Sequence, residues 1–214
     1  MLTKIISGPA FIYDAMLGLG LSYGTTSDMT LKTLMKRTDV FNSLIILAKK
    51  LAWKQGGHNK FLESITLCLD ITAPRYWWQE FDTYRVGVTK QSESTMHTIT
   101  NKPFETTDFE SGCLVEVLKL LNTIREGLID VKGHVEDDKH YFEYLKNYLP
   151  EGYLQRRIVT LNLKTLQNIW TQRCTHRLPE WKMFFTSIMK DLEYHPQYEF
   201  IMWCLFKIAE EEGE

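Results

Sequence analysis

Long apolar runs are missing from this sequence, and no segment holds the roughly 18 consecutive apolar residues that a membrane span needs. Near the start, Gly8, Pro9 and Asp14 break up the apolar residues that follow Lys4, so no signal-peptide core forms. These two absences predict a cytoplasmic protein with no membrane partner. An excess of one charge is also missing. Twenty-five Lys and Arg against 27 Asp and Glu leave a net charge of −2, too little field to call for nucleic acid. Four cysteines, Cys68, Cys113, Cys174 and Cys204, form no CxxC pair, which predicts reduced, mostly buried thiols and no zinc site. No HxxxH or HxH pair is present to grip a metal. The GxSxG, GxGxxG and Walker A patterns are absent too, which argues against a serine hydrolase, a Rossmann cofactor site and a P-loop.

What the chain does have is enough apolar and aromatic content, 44% and 13%, to build a core in a single domain spanning residues 1–214. Residues 1–25, interrupted by Gly8, Pro9, Gly18 and Gly20, read as loop or strand with turns. Asp28 is placed to cap a helix over residues 30–36. Thr38 or Asp39 is placed to cap another over 40–53, where Phe41, Leu44, Ile45, Ala48 and Leu51 share one face. Gly56-Gly57 ends that helix, and a short capped helix leads into a strand over Ile65–Ile71, closed by Pro74. Residues 86–108, rich in Ser and Thr, read as loop. Amphipathic helices are expected over 113–130, 137–147, 158–173, 180–190 and 197–210.

Two clusters are candidates for chemistry. Lys146, Arg156, Arg157, Lys164 and Arg173 surround Leu149-Pro150 and one predicted helix. They form either an anion site or an ordinary solvated face. Within that helix Asn162 is out of place. Asparagine is a poor mid-helix residue and tends to hold such a position through a specific hydrogen bond. The second cluster is the run Thr89 to His97, whose hydroxyls and amides could cradle a phosphate or simply face solvent.

Three blocks in order resemble the flavin-dependent thymidylate synthases. Gly57-His58-Asn59-Lys60-Phe61-Leu62-Glu63 is similar to that family's GHxSPLEH, with Lys60 and Phe61 replacing Ser and Pro and Ser64 replacing the last His. The family's RHRxxSxNExSxRY meets a departure: Thr83-Tyr84-Arg85 stands for Arg-His-Arg. After one inserted residue, Thr89, Gln91, Ser92, Ser94, Met96 and His97 fall on the remaining positions, and only Arg85 and Ser94 are identical. The third block resembles the family best. Lys146 to Pro150 matches RxxLP, and Asn162 to Leu166 matches NARSL. Asn168 and Arg173 follow in register, and Leu178 to Trp181 stands where AQWE is usual.

The resemblance implies an α/β fold, a twisted mixed sheet flanked by helices with helical extensions. It also implies a homotetramer with sites where subunits meet. The implied activity is methylation of dUMP to dTMP with FAD, methylene-tetrahydrofolate and NADPH. His58, Lys60, Arg85, Asn162, Lys164 and Asn168 would hold the cofactor. Gln79, Ser92, Ser94, Lys146 and Arg173 would hold a pyrimidine deoxynucleotide monophosphate, with Arg173 polarising the ring. Three alternatives stay open: an enzyme acting on another pyrimidine nucleotide or stopping at a hydroxymethyl product, a non-catalytic flavin- or nucleotide-binding relative, and an unrelated helical interaction protein.

Overall fold

A computed structural model describes residues 1–54, 56–127 and 139–208. In the first segment, where the sequence led us to expect loop or strand with turns, a strand is present and a helix follows it. Strand β1 is Leu2–Ala10 and helix α1 is Ile12–Leu21. Glycines hid α1, because Gly lowers helix propensity. Burial of Ile12, Ala15, Met16 and Leu19 outweighs that deficit, and the Thr26 side chain occupies the space a Cβ on Gly20 would need.

Helix α2 is Leu31–Leu34, and its cap is Thr30 rather than Asp28: the Thr30 hydroxyl accepts from the Thr33 amide at 3.2 Å. Helix α3, Thr38–Leu51, buries Phe41, Leu44, Ala48 and Leu51, as its spacing predicts. Gly56 and Gly57, both at positive φ, then turn the chain into α4, Phe61–Ser64. Strand β2, Thr66–Pro74, alternates cleanly: Leu67, Leu69, Ile71 and Ala73 are fully buried, and the residues between them are half-buried.

Pro74 starts α5, Arg75–Phe81, which buries Trp77, Trp78 and Phe81. The stretch read as loop contains strand β3, Val88–Ser92, and the short helix α6, Thr95–Thr98. Helices α7, Val115–Glu126, and α8, Lys139–Tyr148, follow; residues 128–130 and 137–138 of the expected helices lie outside the described residues. Strand β4, Leu154–Asn162, occupies the first part of the segment read as one helix over 158–173, and α9, Leu163–Arg173, takes the rest. Ile158, Val159 and Leu161 are β-branched or apolar residues in a short alternating run, which suits a strand. Helices α10, Pro179–Leu192, and α11, Tyr198–Phe206, complete the chain, and the end of the last expected helix, residues 209–210, lies outside the described residues. Of the thiols, only Cys204 is buried; Cys68 and Cys113 are half-buried and Cys174 is exposed, so the expected burial holds for one of the four.

Among the described residues the strands form a four-stranded antiparallel sheet in the order β1-β2-β4-β3. The α/β class holds, with antiparallel strands where the resemblance implied mixed ones. Two compact units divide the chain. The first comprises Met1, Ile71–Thr83 and Gln91–Arg157, and the second the remainder.

In the first unit, α7 packs on α8 around Phe104, Phe109, Leu121 and Leu145. In the second, α9 and α3 pack on α11, α1 packs on α3 and α4, and α10 covers β1. Gln167 ties α9 into this core. It is buried, and its amide donates to the carbonyls of Ala52 at 3.0 Å and Cys204 at 2.7 Å. A Gln167→Leu substitution is expected to cost about 2 kcal/mol, because it takes the side-chain donor from the buried Cys204 carbonyl and one of two from that of Ala52, which keeps Asn59. Urea denaturation reads the loss, and an unchanged midpoint would contradict it.

Candidate functional site

The second unit assembles its candidates around α9. Asn162 ends β4 in extended backbone and caps the helix, its Oδ1 accepting from the Thr165 amide at 2.8 Å. That bond answers the anomaly in the sequence: Asn162 lies at a helix start, where asparagine is favoured. The Leu163 amide donates to Ile65 O at 2.9 Å, which fixes the helix start to the residue preceding β2. Thr165 Oγ1 donates to Val86 O at 2.8 Å and so draws in the Tyr84–Gly87 segment. Gly87 sits there at φ +68°, and a Cβ on it would stand 2.5 Å from Asn162 Nδ2 and 2.9 Å from Thr165 Oγ1. Only a residue without a side chain fits this close approach.

Helix α4 packs against α9 and brings in the first block. Glu63 is the charged neighbour of Lys164. Burial pushes the Lys164 ammonium below its usual range, and Glu63 partly offsets that shift. Lys60 donates its amide to Gly57 O at 3.3 Å and lays its side chain over Gly57. His58 and Lys60 are exposed, as is Arg85. Lys164, Asn168 and Gln172 follow at four-residue spacing along one edge of α9, and Gln172 donates to Asn168 Oδ1 at 3.0 Å.

Arg173 closes the helix. Its Nε donates to the Tyr84 hydroxyl at 3.0 Å, which in turn donates to Gln172 Oε1 at 3.0 Å. The guanidinium lies 5.2 Å from the Trp181 ring centre and 5.9 Å from that of Tyr84. The residue standing for the signature histidine is therefore buried and engaged in holding Arg173. The second unit thus brings together the first block, the Tyr84–Gly87 segment and α9.

The first unit holds the other candidates. Lys146, on α8, donates to Thr95 Oγ1, beside Ser94. Burial lowers its pKa, and the nearby positive charge of Arg75 lowers it further. Both lysine shifts have the same sign. Lys146 and Lys164 cost stability below their folded-state pKa values, and that cost disappears as pH rises toward the unfolded-lysine value. Gln79, on α5, donates to Glu151 Oε2 at 2.9 Å, and Ser92 is exposed at the end of β3. Arg157 is structural: it pairs with Asp82 at 3.0 Å and lies 4.3 Å over Trp78. Thr95 falls in the hydroxyl-rich run Thr89 to His97, but nothing in the sequence singles out Arg75 or Glu151. The one available signal for Arg75 is its place directly after Pro74, where a strand ends and a helix begins.

The chain matches the family model described as thymidylate synthase complementing protein over residues 20–194. Its fold is similar to that of the flavin-dependent thymidylate synthase from Helicobacter pylori complexed with FAD and dUMP. TM-scores are 0.67 and 0.64 against two structures of that enzyme, with 16% and 17% identity, covering 96% of this chain and all of the other in each case. A UMP/dUMP methylase from Streptomyces cacaoi bound with 5-bromo-dUMP is similar at TM-score 0.59 and 13% identity, covering 88% of each chain. No curated protein matches the chain by sequence.

A Gly87→Ala substitution forces a left-handed backbone onto a residue with a Cβ and drives that Cβ into Asn162. The left-handed conformation alone costs roughly 1–2 kcal/mol. Thermal unfolding is expected to show a clear drop in Tm, and a neutral variant would contradict the close packing at this turn.

Proposed function

Because this chain belongs to the thymidylate synthase complementing protein family, we propose that it methylates a pyrimidine deoxynucleotide monophosphate, dUMP to dTMP, as a flavin-dependent enzyme. The observation that supports this most is the gathering of α4, the Tyr84–Gly87 segment and α9 around the Asn162 cap. These segments, with the Gly57–Lys60 turn that leads into α4 and the Asn162 cap, carry all six residues assigned to the cofactor: His58, Lys60, Arg85, Asn162, Lys164 and Asn168. Their chemistry fits FAD. Asn162 Nδ2, held against Gly87, offers a donor to a flat ring. Lys164, Lys60 and Arg85 supply positive charge for a diphosphate.

When bound, FAD supplies the hydride, methylene-tetrahydrofolate the carbon and NADPH the reducing equivalents. The chain's own residues position and polarise. Arg173, fixed by Tyr84 and Trp181, offers a cation to a pyrimidine carbonyl, which favours negative charge there in the transition state. Lys146 and Ser94 take the phosphate as point charge and hydrogen-bond donor, with Ser92 and Gln79 as further donors. By the family's pattern, the enzyme works as a cytoplasmic homotetramer. No helix among the described residues is long and apolar enough to cross a membrane.

A second reading has one observation in its favour. Thr83 and Tyr84 replace the first arginine and the histidine of the signature, and Tyr84 is buried against Trp181. That change suits an enzyme acting on a different pyrimidine nucleotide or giving a hydroxymethyl product, as a phage-type base-modifying enzyme would.

Two measurements test the proposal. Purified protein given FAD should turn yellow, with bound-flavin absorbance at about 450 nm. Arg173→Ala should weaken binding of dUMP by at least about tenfold, the scale of one charge-assisted hydrogen bond. A protein that stays colourless, or an unchanged dUMP affinity in the variant, would overturn the assignment.

A further inference from the structure

Building on the phosphate assignment above, we infer that Arg75 is a second phosphate cation beside Lys146, with Glu151 as the anion the phosphate displaces, so that the site selects dianionic phosphomonoesters. Four observations in the first unit lead there. Arg75 anchors one guanidinium nitrogen on Leu149 O at 3.2 Å and turns the other to Glu151 Oε1 at 3.4 Å. The same carboxylate accepts from Gln79 Nε2 at 2.9 Å, so one anion bridges two donors. Lys146, three residues before the Leu149 whose carbonyl anchors Arg75, has a threonine hydroxyl as its bond partner and no carboxylate among the described residues. Glu151 has half its side chain exposed, so water can solvate the carboxylate when an anion displaces it.

The charges identify the ligand. Arg75 pairs with Glu151, whereas neighbouring Lys146 bonds a hydroxyl, which leaves the positive charge of Lys146 uncompensated. Like charges at such a distance repel, and partial burial strengthens the repulsion. A dianion that takes the place of Glu151 neutralises both cations. Its oxygens also accept from Gln79, Arg75, Lys146 and the hydroxyls of Ser94 and Thr95. A nucleoside, with no phosphate, gains nothing there. A phosphodiester, with one charge, only matches what Glu151 already provides. Arg75 is suited to the task because its guanidinium donates in a fixed fork, whereas Lys146 acts as a point charge. Glu151 follows Leu149-Pro150 directly, so the turn that anchors Arg75 also positions the carboxylate that competes for it.

The test is calorimetric titration of the full, FAD-loaded protein with dUMP and with deoxyuridine. Arg75→Gln should weaken dUMP roughly ten- to a hundredfold, the scale of losing a charged donor to an anion, and leave deoxyuridine unchanged. Glu151→Gln should tighten dUMP by about threefold or more, because a competing anion is gone. A gain of affinity cannot come from misfolding, so this second variant keeps the inference open to refutation. If Lys146→Gln loses dUMP while Arg75→Gln binds normally, the phosphate assignment stands and the role of Arg75 is refuted. If Glu151→Gln binds dUMP no better than the unchanged protein, displacement is refuted. If Lys146→Gln has no effect, or if deoxyuridine binds as well as dUMP, the phosphate assignment itself fails and the inference fails with it.

Discussion

One hydrogen bond, from the Thr165 amide to the side-chain oxygen of Asn162, sets the geometry of the second unit. It terminates a strand and starts a helix within a single residue. Capping supplies an acceptor to an amide that the helix itself leaves unsatisfied, and an asparagine there contributes on the order of 1 kcal/mol relative to alanine. The larger consequence is positional. Once α9 begins at Leu163, Lys164 comes beside Glu63, Thr165 holds the Val86 carbonyl, and the helix runs to Arg173 under the Tyr84 hydroxyl. A shift of the helix start by one residue would rotate each of these side chains by about 100°.

The same logic explains how a chain that departs from the family signature keeps its fold. Tyr84 cannot do what a histidine does, yet it is not idle. It donates to Gln172 and accepts from Arg173, both in the last turn of α9. Trp181 lies beneath the guanidinium and limits its movement. The altered loop therefore still fixes the arginine proposed to polarise the pyrimidine. In the first unit the chain's own solution is different. Arg75 pairs with Glu151 while Lys146, three residues before the Leu149 that anchors Arg75, bonds a threonine hydroxyl, an arrangement suited to an incoming anion.

Much of this was legible in the sequence, though unevenly. The apolar faces of α3 and α7 announced themselves through their spacing, and β2 through its β-branched run. Asn162 stood out as an asparagine in the wrong place, and its hydrogen bond proved real. Its role was misjudged because Ile158, Leu161, Leu166 and Ile169 continue one apparent helical rhythm across a strand-to-helix junction. Over so short a span, periods of 2 and 3.6 residues cannot be told apart. Helix α1 was hidden by Gly18 and Gly20, whose low propensity is overridden by tertiary packing. Arg75 and Glu151 were illegible for another reason. Their pairing depends on the Leu149-Pro150 turn meeting the start of α5, a long-range contact that leaves no local pattern.

The central claim is chemical: this chain's cationic and hydroxyl groups serve a reaction at the pyrimidine ring. Replacement of the C5 hydrogen measures it most directly. The full protein would be supplied with FAD, methylene-tetrahydrofolate, NADPH and dUMP carrying tritium at C5. The account predicts tritium release into water that depends on the folate and falls away in the absence of flavin. Protein that binds flavin and dUMP yet releases no tritium would contradict it and leave a nucleotide-binding relative without the chemistry.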